Sequence, residues 1–306
     1  MTNNTQIKVQ EIANKVIKRM EELGDDWIKP FHDRGKLGGN LALPHNLSGR
    51  NYSGINLFIL TMFNEFGSNT WATYKQINEA GGQVLKGEKA STVFYYGSHI
   101  TTKTDDNGNT HNEGYKFLKT FSVFNIEQTT LEADKIKIIM NRKPKNLVER
   151  IEDVEKYITN TEAKVVLNTR GRCFYVPEED YINMSPLDSW KATPDQTKQE
   201  AYYSTLLHEL VHWTGNKKRK DRFEKLSYAE EELVAELGSA ILSAMLGISK
   251  KPSDQHAKYL NNWIQAIKDK PKALFDAVAH SQKAISYIED LQPKEEKQQP
   301  KIEKVA

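Results

Sequence analysis

The stretch Leu206-Leu207-His208-Glu209-Leu210-Val211-His212-Trp213-Thr214-Gly215 constrains this 306-residue chain more than any other. Two histidines four residues apart lie on one face of an α-helix, about a turn from each other, so their imidazoles can converge on one metal ion. Glu209 stands beside them. A carboxylate there can take the proton of a water activated by the ion, which is the general-base role in zinc hydrolases. Local signals predict the helix: Thr197 as N-cap, Glu200 three residues on to complete a capping box, and Gly215 as a left-handed stop.

Two histidines rarely hold a catalytic zinc, so a third protein ligand is needed, with one position left for water. A second predicted helix from Tyr228 supplies candidates. It carries Glu230, Glu231, Glu232 and Glu236 beside an apolar stripe of Leu233, Leu237, Ala240, Ile241 and Ala244. The arrangement resembles the gluzincins, in which a glutamate of a second helix is the third ligand and an acidic residue four later orients a ligating histidine. That resemblance implies Glu232 as ligand and Glu236 behind a histidine. One residue of helix phase separates Glu232 from Glu231, and an acidic face kept solvated is the plain alternative for each. Zn2+ is the expected ion, with Mn2+ a second divalent candidate.

The remaining composition sets limits. A net charge of +2 announces no global field toward nucleic acid or membrane and excludes a DNA mimic, which needs a strongly acidic surface. The single Cys173 rules out an internal disulfide. No run reaches membrane-spanning length and the first residues lack a signal pattern, so the expectation is a cytoplasmic protein with no membrane partner.

From the start, residues 6 to 24 read as an amphipathic helix. Trp27-Ile28-Lys29-Pro30-Phe31 and Arg34-Gly35-Lys36-Leu37-Gly38-Gly39-Asn40 then combine aromatics, glycines and positive charge, as loops that follow a phosphate backbone do. Three blocks come next: Pro44 to Asn56 (PHNLSGRNYSGIN), Trp71 to Gln76 (WATYKQ) and Gly81 to Glu88 (GGQVLKGE). A fourth is Phe124-Asn125-Ile126-Glu127-Gln128. In this order, and followed by the histidine helix, they resemble the single-stranded-DNA-binding domain of ArdC-like antirestriction proteins, joined to the metallopeptidase half those proteins carry. The family's basic Gly-His segment after the metal helix is replaced here by Thr214-Gly215-Asn216, which makes Glu232 more necessary as a ligand.

The resemblance implies an α+β fold of two domains: residues 1–133 for single-stranded DNA, a basic linker 134–146, a zincin-like (gluzincin) metallopeptidase domain 147–291 and a disordered tail 292–306. Lys29, Arg34, Lys36, Arg50, Lys75, Lys86 and Lys89, interleaved with Tyr52, Trp71 and Tyr74, are the nominated DNA contacts. Each aromatic taken singly is more often core than stacking platform.

Thr101 to Gly114 reads as a polar hairpin tip between strands, with Ser91 to Tyr96 and Leu118 to Ile126 on either side. Asp180 to Met184 reads as an edge strand beside the metal helix, a candidate rail for an extended peptide. Tyr202, Tyr203, Tyr228 and Arg219 are unranked candidates for an oxyanion donor, with His256 and His280 as further, more structural ones. The implied function is antirestriction by a plasmid or mobile-element protein. Its partners would be single-stranded DNA and an unidentified protein substrate, with the host restriction machinery a candidate source. The alternative is a non-catalytic DNA-binding protein whose metal is only structural.

Overall fold

A computed structural model of the chain describes residues 3–31, 43–104, 110–131, 146–168, 171–250 and 256–293. Helix α1 (Asn3–Leu23) buries Val9, Ile12, Ala13, Val16, Ile17 and Met20, the face that helical spacing predicts. A 3-10 turn, Gly24–Ile28, then drives Trp27 into the core, where its ring centroid lies 6.5 Å from those of Phe58 and Trp263. Trp27 and Phe31 are 0% and 1% exposed, which corrects their reading as base-stacking residues of a loop. Of that segment Lys29 faces solvent. Arg34 and Lys36 lie outside the described residues, as do residues 134–145 of the expected linker and the tail beyond 293.

The N-terminal half continues with β1 (His45–Asn46), α2 (Gly54–Met62), β2 (Thr70–Thr73), α3 (Tyr74–Glu79), β3 (Ser91–Thr104) and β4 (Thr110–Asn125). The sheet runs β1-β2-β4-β3, with β1 parallel to β2 and the other neighbours antiparallel. Strands β3 and β4 pair without a break from Ser91↔Val123 to Thr104↔Thr110. Residues expected at the hairpin tip therefore extend the ladder. Thr101, Thr102 and Thr104 are β-branched and suit a strand, and the ladder itself needs only backbone groups.

The second half contains α4 (Leu147–Thr159), β5 (Lys164–Leu167), β6 (Phe174–Val176), β7 (Tyr181–Met184), α5 (Lys198–Thr214), α6 (Tyr228–Leu246), α7 (His256–Asp269) and α8 (Lys272–Asp290). Its sheet order is β5-β7-β6, with β7 parallel to β5 and antiparallel to β6. Strand β7 is thus central and not an edge, and Ile182 and Met184 are fully buried. A peptide could add only at β5 or β6.

One apolar core runs through both halves, from Val9 to Ile288. Phe275 of α8 meets Phe94 of β3 edge-on at 5.2 Å. Gln282 of α8 accepts a 2.7 Å hydrogen bond from the Gly54 amide at the start of α2. Lys268 of α7 pairs with Glu21 of α1 at 2.7 Å. Side chains of this size contribute about 1.5–3 kcal/mol each when fully buried, so the junction is a packed interior. Mixed helix and sheet in this arrangement is the expected α+β class.

Candidate metal centre

Helix α5 starts as its sequence predicts. Thr197 Oγ1 accepts from the Glu200 amide while Glu200 accepts from the Thr197 amide. Its end differs. Gly215 has φ −73°, an ordinary right-handed value, and is needed for space: a Cβ there would lie 2.9 Å from the His212 carbonyl oxygen and 3.0 Å from the Arg222 guanidinium. The left-handed glycine stop belongs to α6, at Gly247 with φ +72°. After α5 the chain folds back through a 2.9 Å bond from the Arg222 amide to the Gly215 carbonyl, bringing Arg222 beneath the helix.

On the facing surfaces of α5 and α6, His208, His212 and Glu232 bring one ligand atom each to within 4.8 Å of the others. The two Nε2 atoms are 3.2 Å apart, with Glu232 Oε2 3.5 Å from His208 and Glu232 Oε1 3.5 Å from His212. Three corners of a tetrahedron around an ion with bonds of about 2.0–2.1 Å are separated by about 3.4 Å. The donor set therefore fits a small divalent ion. Its side chains are 11–15% exposed, so the cluster keeps an opening to solvent.

Both imidazoles are held from behind by carboxylates of α6. Glu231 sits 3.2 Å from His212 Nδ1, and Glu236 sits 3.5 Å from His208 Nδ1. Such partners favour the Nδ1–H tautomer and leave the Nε2 lone pair for a metal. Each carboxylate has its own buried cation. Arg222, 1% exposed, donates from Nε and Nη2 to the two Glu231 oxygens at 2.9 and 2.7 Å, and from Nη1 to Thr214. Lys250, 4% exposed, pairs with Glu236, itself 1% exposed. Glu232 thus faces the Nε2 atoms of both imidazoles, while Glu231 backs His212 Nδ1.

The field follows from this. Burial alone would lower His212, but its hydrogen bonds to the Glu231 and Glu232 carboxylates outweigh it and raise the pKa to about 10. His208 rises for the same reason, burial opposed by Glu232 and Glu236. Glu232 is held well below the usual carboxylate range although burial pushes it up, because both imidazoles bond it. The pocket favours positive charge. Glu209, 7% exposed, adds its charge to the field at both imidazoles.

Of the oxyanion candidates, Tyr228 is exposed, with its ring centroid 5.5 Å from that of Tyr259, and burial of its hydroxyl together with the nearby Tyr259 and Glu232 raises its pKa, so it stays a donor. Tyr203 is bonded to Glu155. Arg219 is occupied by Asp180 and lies 3.9 Å over the Trp213 ring. Tyr202 packs on Trp190 and Tyr203. His280 lines a crevice with Leu233, Val234 and Trp263. The His256 side chain lies outside the described residues. Cys173 is half-buried, with its thiol raised by burial.

Residues 152–280 match the zincin-like metallopeptidase family, and residues 7–124 match the N-terminal domain of anti-restriction factor ArdC. The crystal structure of the antirestriction protein ArdC from plasmid R388 in its metal-free form superposes with a TM-score of 0.73, at 31% identity over 92% of this chain and 97% of that one. The chain belongs to the ArdC family. The Mn(II)-bound structure of the R388 ArdC matches with a TM-score of 0.70. Among curated relatives, a DNA primase TraC of Escherichia coli is 33% identical over 299 residues, and a second is 31% identical over 296. The matches cover 90% and 91% of this chain but 19% and 27% of those proteins, so the chain spans about a fifth to a quarter of their length. An uncharacterized protein y4eC of Sinorhizobium fredii is 25% identical over 91% of this chain and 90% of its own length. Among the described residues, no helix is long and apolar enough to cross a membrane.

In this ArdC-family chain the sequence blocks nominated for DNA contact turn out to be largely architectural. Trp71 is 1% exposed, packed with Leu60, Val93 and Val123 inside the sheet, which corrects its nomination as a stacking surface. Thr73 and Gln76 of the same block form a capping box for α3, and Asn125 and Gln128 form another. Asn56 pairs its carboxamide with both backbone groups of Phe94 on the outer edge of β3. Tyr52 is half-buried between the core and the Trp71 cluster. Lys29, Arg50, Tyr74, Lys75, Lys86 and Lys89 remain exposed.

Sequence reasoning did not foresee the buried cations Arg222 and Lys250. Their only signal is a Lys- and Arg-rich turn after α5 and a lysine just past α6.

Proposed function

We propose that this chain is an antirestriction protein of a plasmid or mobile element that binds single-stranded DNA and carries a zinc-dependent metallopeptidase site, acting in the cytoplasm on a protein substrate. The convergence of His208 Nε2, His212 Nε2 and Glu232, with Glu209 next to them, carries the reading. The Mn(II)-bound ArdC structure supports a divalent ion at such a site. A bound ion would supply Lewis acidity, polarising a peptide carbonyl and activating water.

The residues would do the rest. Glu209 takes the proton of the attacking water and delivers it to the leaving amine. Glu231 and Glu236 keep the imidazoles in register. Tyr228 donates to the oxygen on which negative charge develops. The free edge of β6, whose neighbour Cys173 feels the Glu209 charge, offers backbone groups to align an extended peptide.

Replacing Glu209 by Gln tests the proposal, with bound metal, single-stranded-DNA affinity and antirestriction in cells as readouts. Metal and DNA binding retained while antirestriction falls supports a hydrolytic role. Undiminished antirestriction would mean a DNA-binding protein with a structural metal. The described residues offer three ligands, whereas structural zinc sites are normally closed by four, which favours the catalytic reading.

A further inference from the structure

The β3–β4 ribbon has two unlike faces. One buries Phe94 and Leu118 toward α8 and α1, with Phe94 against Phe275 and the Leu118 carbonyl bonded by Thr5. The other carries a run of aromatic rings in sequential contact: Phe121 with Tyr95 at 6.1 Å, Tyr95 with Phe117 at 6.2 Å, Phe117 with Tyr115 at 6.2 Å, and Tyr115 with His99 at 5.6 Å. The register explains the run. Val93↔Phe121, Tyr95↔Lys119, Gly97↔Phe117 and His99↔Tyr115 are directly opposite pairs two residues apart, so all share one face. Val93 closes the inner end as part of the Trp71 cluster, and beyond it the rings are open. Tyr95, Phe121 and Tyr115 are 54%, 48% and 64% exposed.

Gly97 shapes this face. A Cβ there would lie 2.3 Å from the Phe117 ring, so the missing side chain lets Phe117 lie down across the strand and join the rings on either side. Lys119 holds its ammonium 4.8 Å over the same ring. Around the outer edge of β3, Tyr95 also borders a crevice of about 580 Å³ whose lining passes from Asn46, Arg50 and Asn51 to Tyr96 and Phe275 on the α8 side. Two carboxamides and a guanidinium can bond base edges and phosphate. Arg50 makes no ion pair among the described residues, and by register Lys103 and Lys119 fall on the ring face with the single acid Glu113, while Lys116, opposite Ser98, falls on the other.

We propose that this face of the ribbon, together with the Arg50 crevice reached round the outer edge of β3, is the track on which a single strand of nucleic acid lays its unpaired bases. The proposal rests on the single-strand reading above and gives it a place. Exposed rings on alternate residues stand about 7 Å apart along a strand, which gives each its own base, and interleaved lysine and arginine follow the phosphates. The neighbouring carboxamides and net positive strands favour nucleic acid over an apolar protein partner. Neither Trp71 nor Trp27 takes part.

The test is fluorescence anisotropy of labelled oligo(dT) at fixed salt, with wild type, Tyr95→Ala, Tyr115→Ala, and Gly97→Val, which displaces Phe117 without removing a ring. An abasic oligonucleotide serves as a backbone-only probe, and sedimentation reports self-association. Each ring removed or displaced should weaken oligo(dT) binding roughly 5- to 100-fold, the range for losing one stacked base, while Tyr95→Trp retains it and abasic binding hardly moves. Wild-type binding that survives all three changes would overturn the placement and leave the single-strand reading standing. Wild type that binds no oligonucleotide would overturn both. Substitutions that change the oligomeric state instead of DNA binding would make the face an interface between copies.

Discussion

The metal centre and the aromatic ribbon are built on opposite principles. At the candidate metal centre the groups behind the imidazoles are buried and fixed from more than one side: His212 is held by Glu231, and Glu231 by both arms of Arg222. On the ribbon, rings are exposed and steadied only by neighbours across the ladder. A site that must present ligand atoms within tenths of an ångström needs enforced rotamers and is sensitive to the loss of any support. A surface that accepts any base needs only repeated flat faces and tolerates local change.

The contrast is open to breaking, and the most disruptive change falls on the buried side. Arg222→Met should destabilise the fold by about 3–5 kcal/mol, because Glu231 is left buried with its charge uncompensated, and metal affinity should fall by about 10- to 100-fold. Urea unfolding and metal titration measure the two, and unchanged values would mean that Arg222 supports nothing. Next, Tyr228→Phe should lower turnover of a cleaved peptide by about 10²–10³ with metal content unchanged. A loss appearing in KM alone would remove Tyr228 from the developing charge.

A milder effect comes from a pair at the margin of the site. Asp180 is held down to about 2, chiefly by hydrogen bonds from Arg219, below its ordinary value near 3.9. A depressed carboxylate stabilises the fold above the unfolded value and loses that contribution as pH falls through the folded one, so stability should decline between about pH 4 and pH 2. Asp180→Asn, which tolerates the left-handed φ of +56° there, should flatten that part of the profile in acid unfolding curves. A parallel profile would assign the acid sensitivity elsewhere. Smallest of all, Tyr115→Ala should shift stability by no more than about 0.5 kcal/mol, being exposed at the far end of the ribbon. A larger cost would show that the rings are structural.

The same contrast explains what could be read from the sequence. The His208–His212 spacing, the Thr197–Glu200 box and the apolar stripe of α6 are local patterns with a helical period, and they reappear in the fold. The choice between Glu231 and Glu232 was not local. It depends on the angle at which α6 meets α5, which no residue count along one helix contains. Arg222 and Lys250 were hidden for a related reason, since buried cations are spelled with the same letters as solvated ones. The nominated DNA contacts divide in a different way. Blocks such as WATYKQ attract notice because they are distinctive, yet Trp71, Thr73 and Gln76 spend that distinctiveness on burial and capping. Phe121 falls in the strand expected from Leu118 to Ile126, but its alignment with Tyr115 and Phe117 on one face is legible only once the pairing with Tyr95 and Gly97 is known.

The shared core, with Phe275 and Gln282 of α8 seated on β3 and α2, bears on how the chain is made. During synthesis the first sheet leaves the ribosome well before α8, so the part of its inner face that α8 covers waits for that helix to emerge. The two matched segments are therefore poor units for exchange or truncation. A fragment ending between them would keep the sequence of the first and lose the wall that supports it.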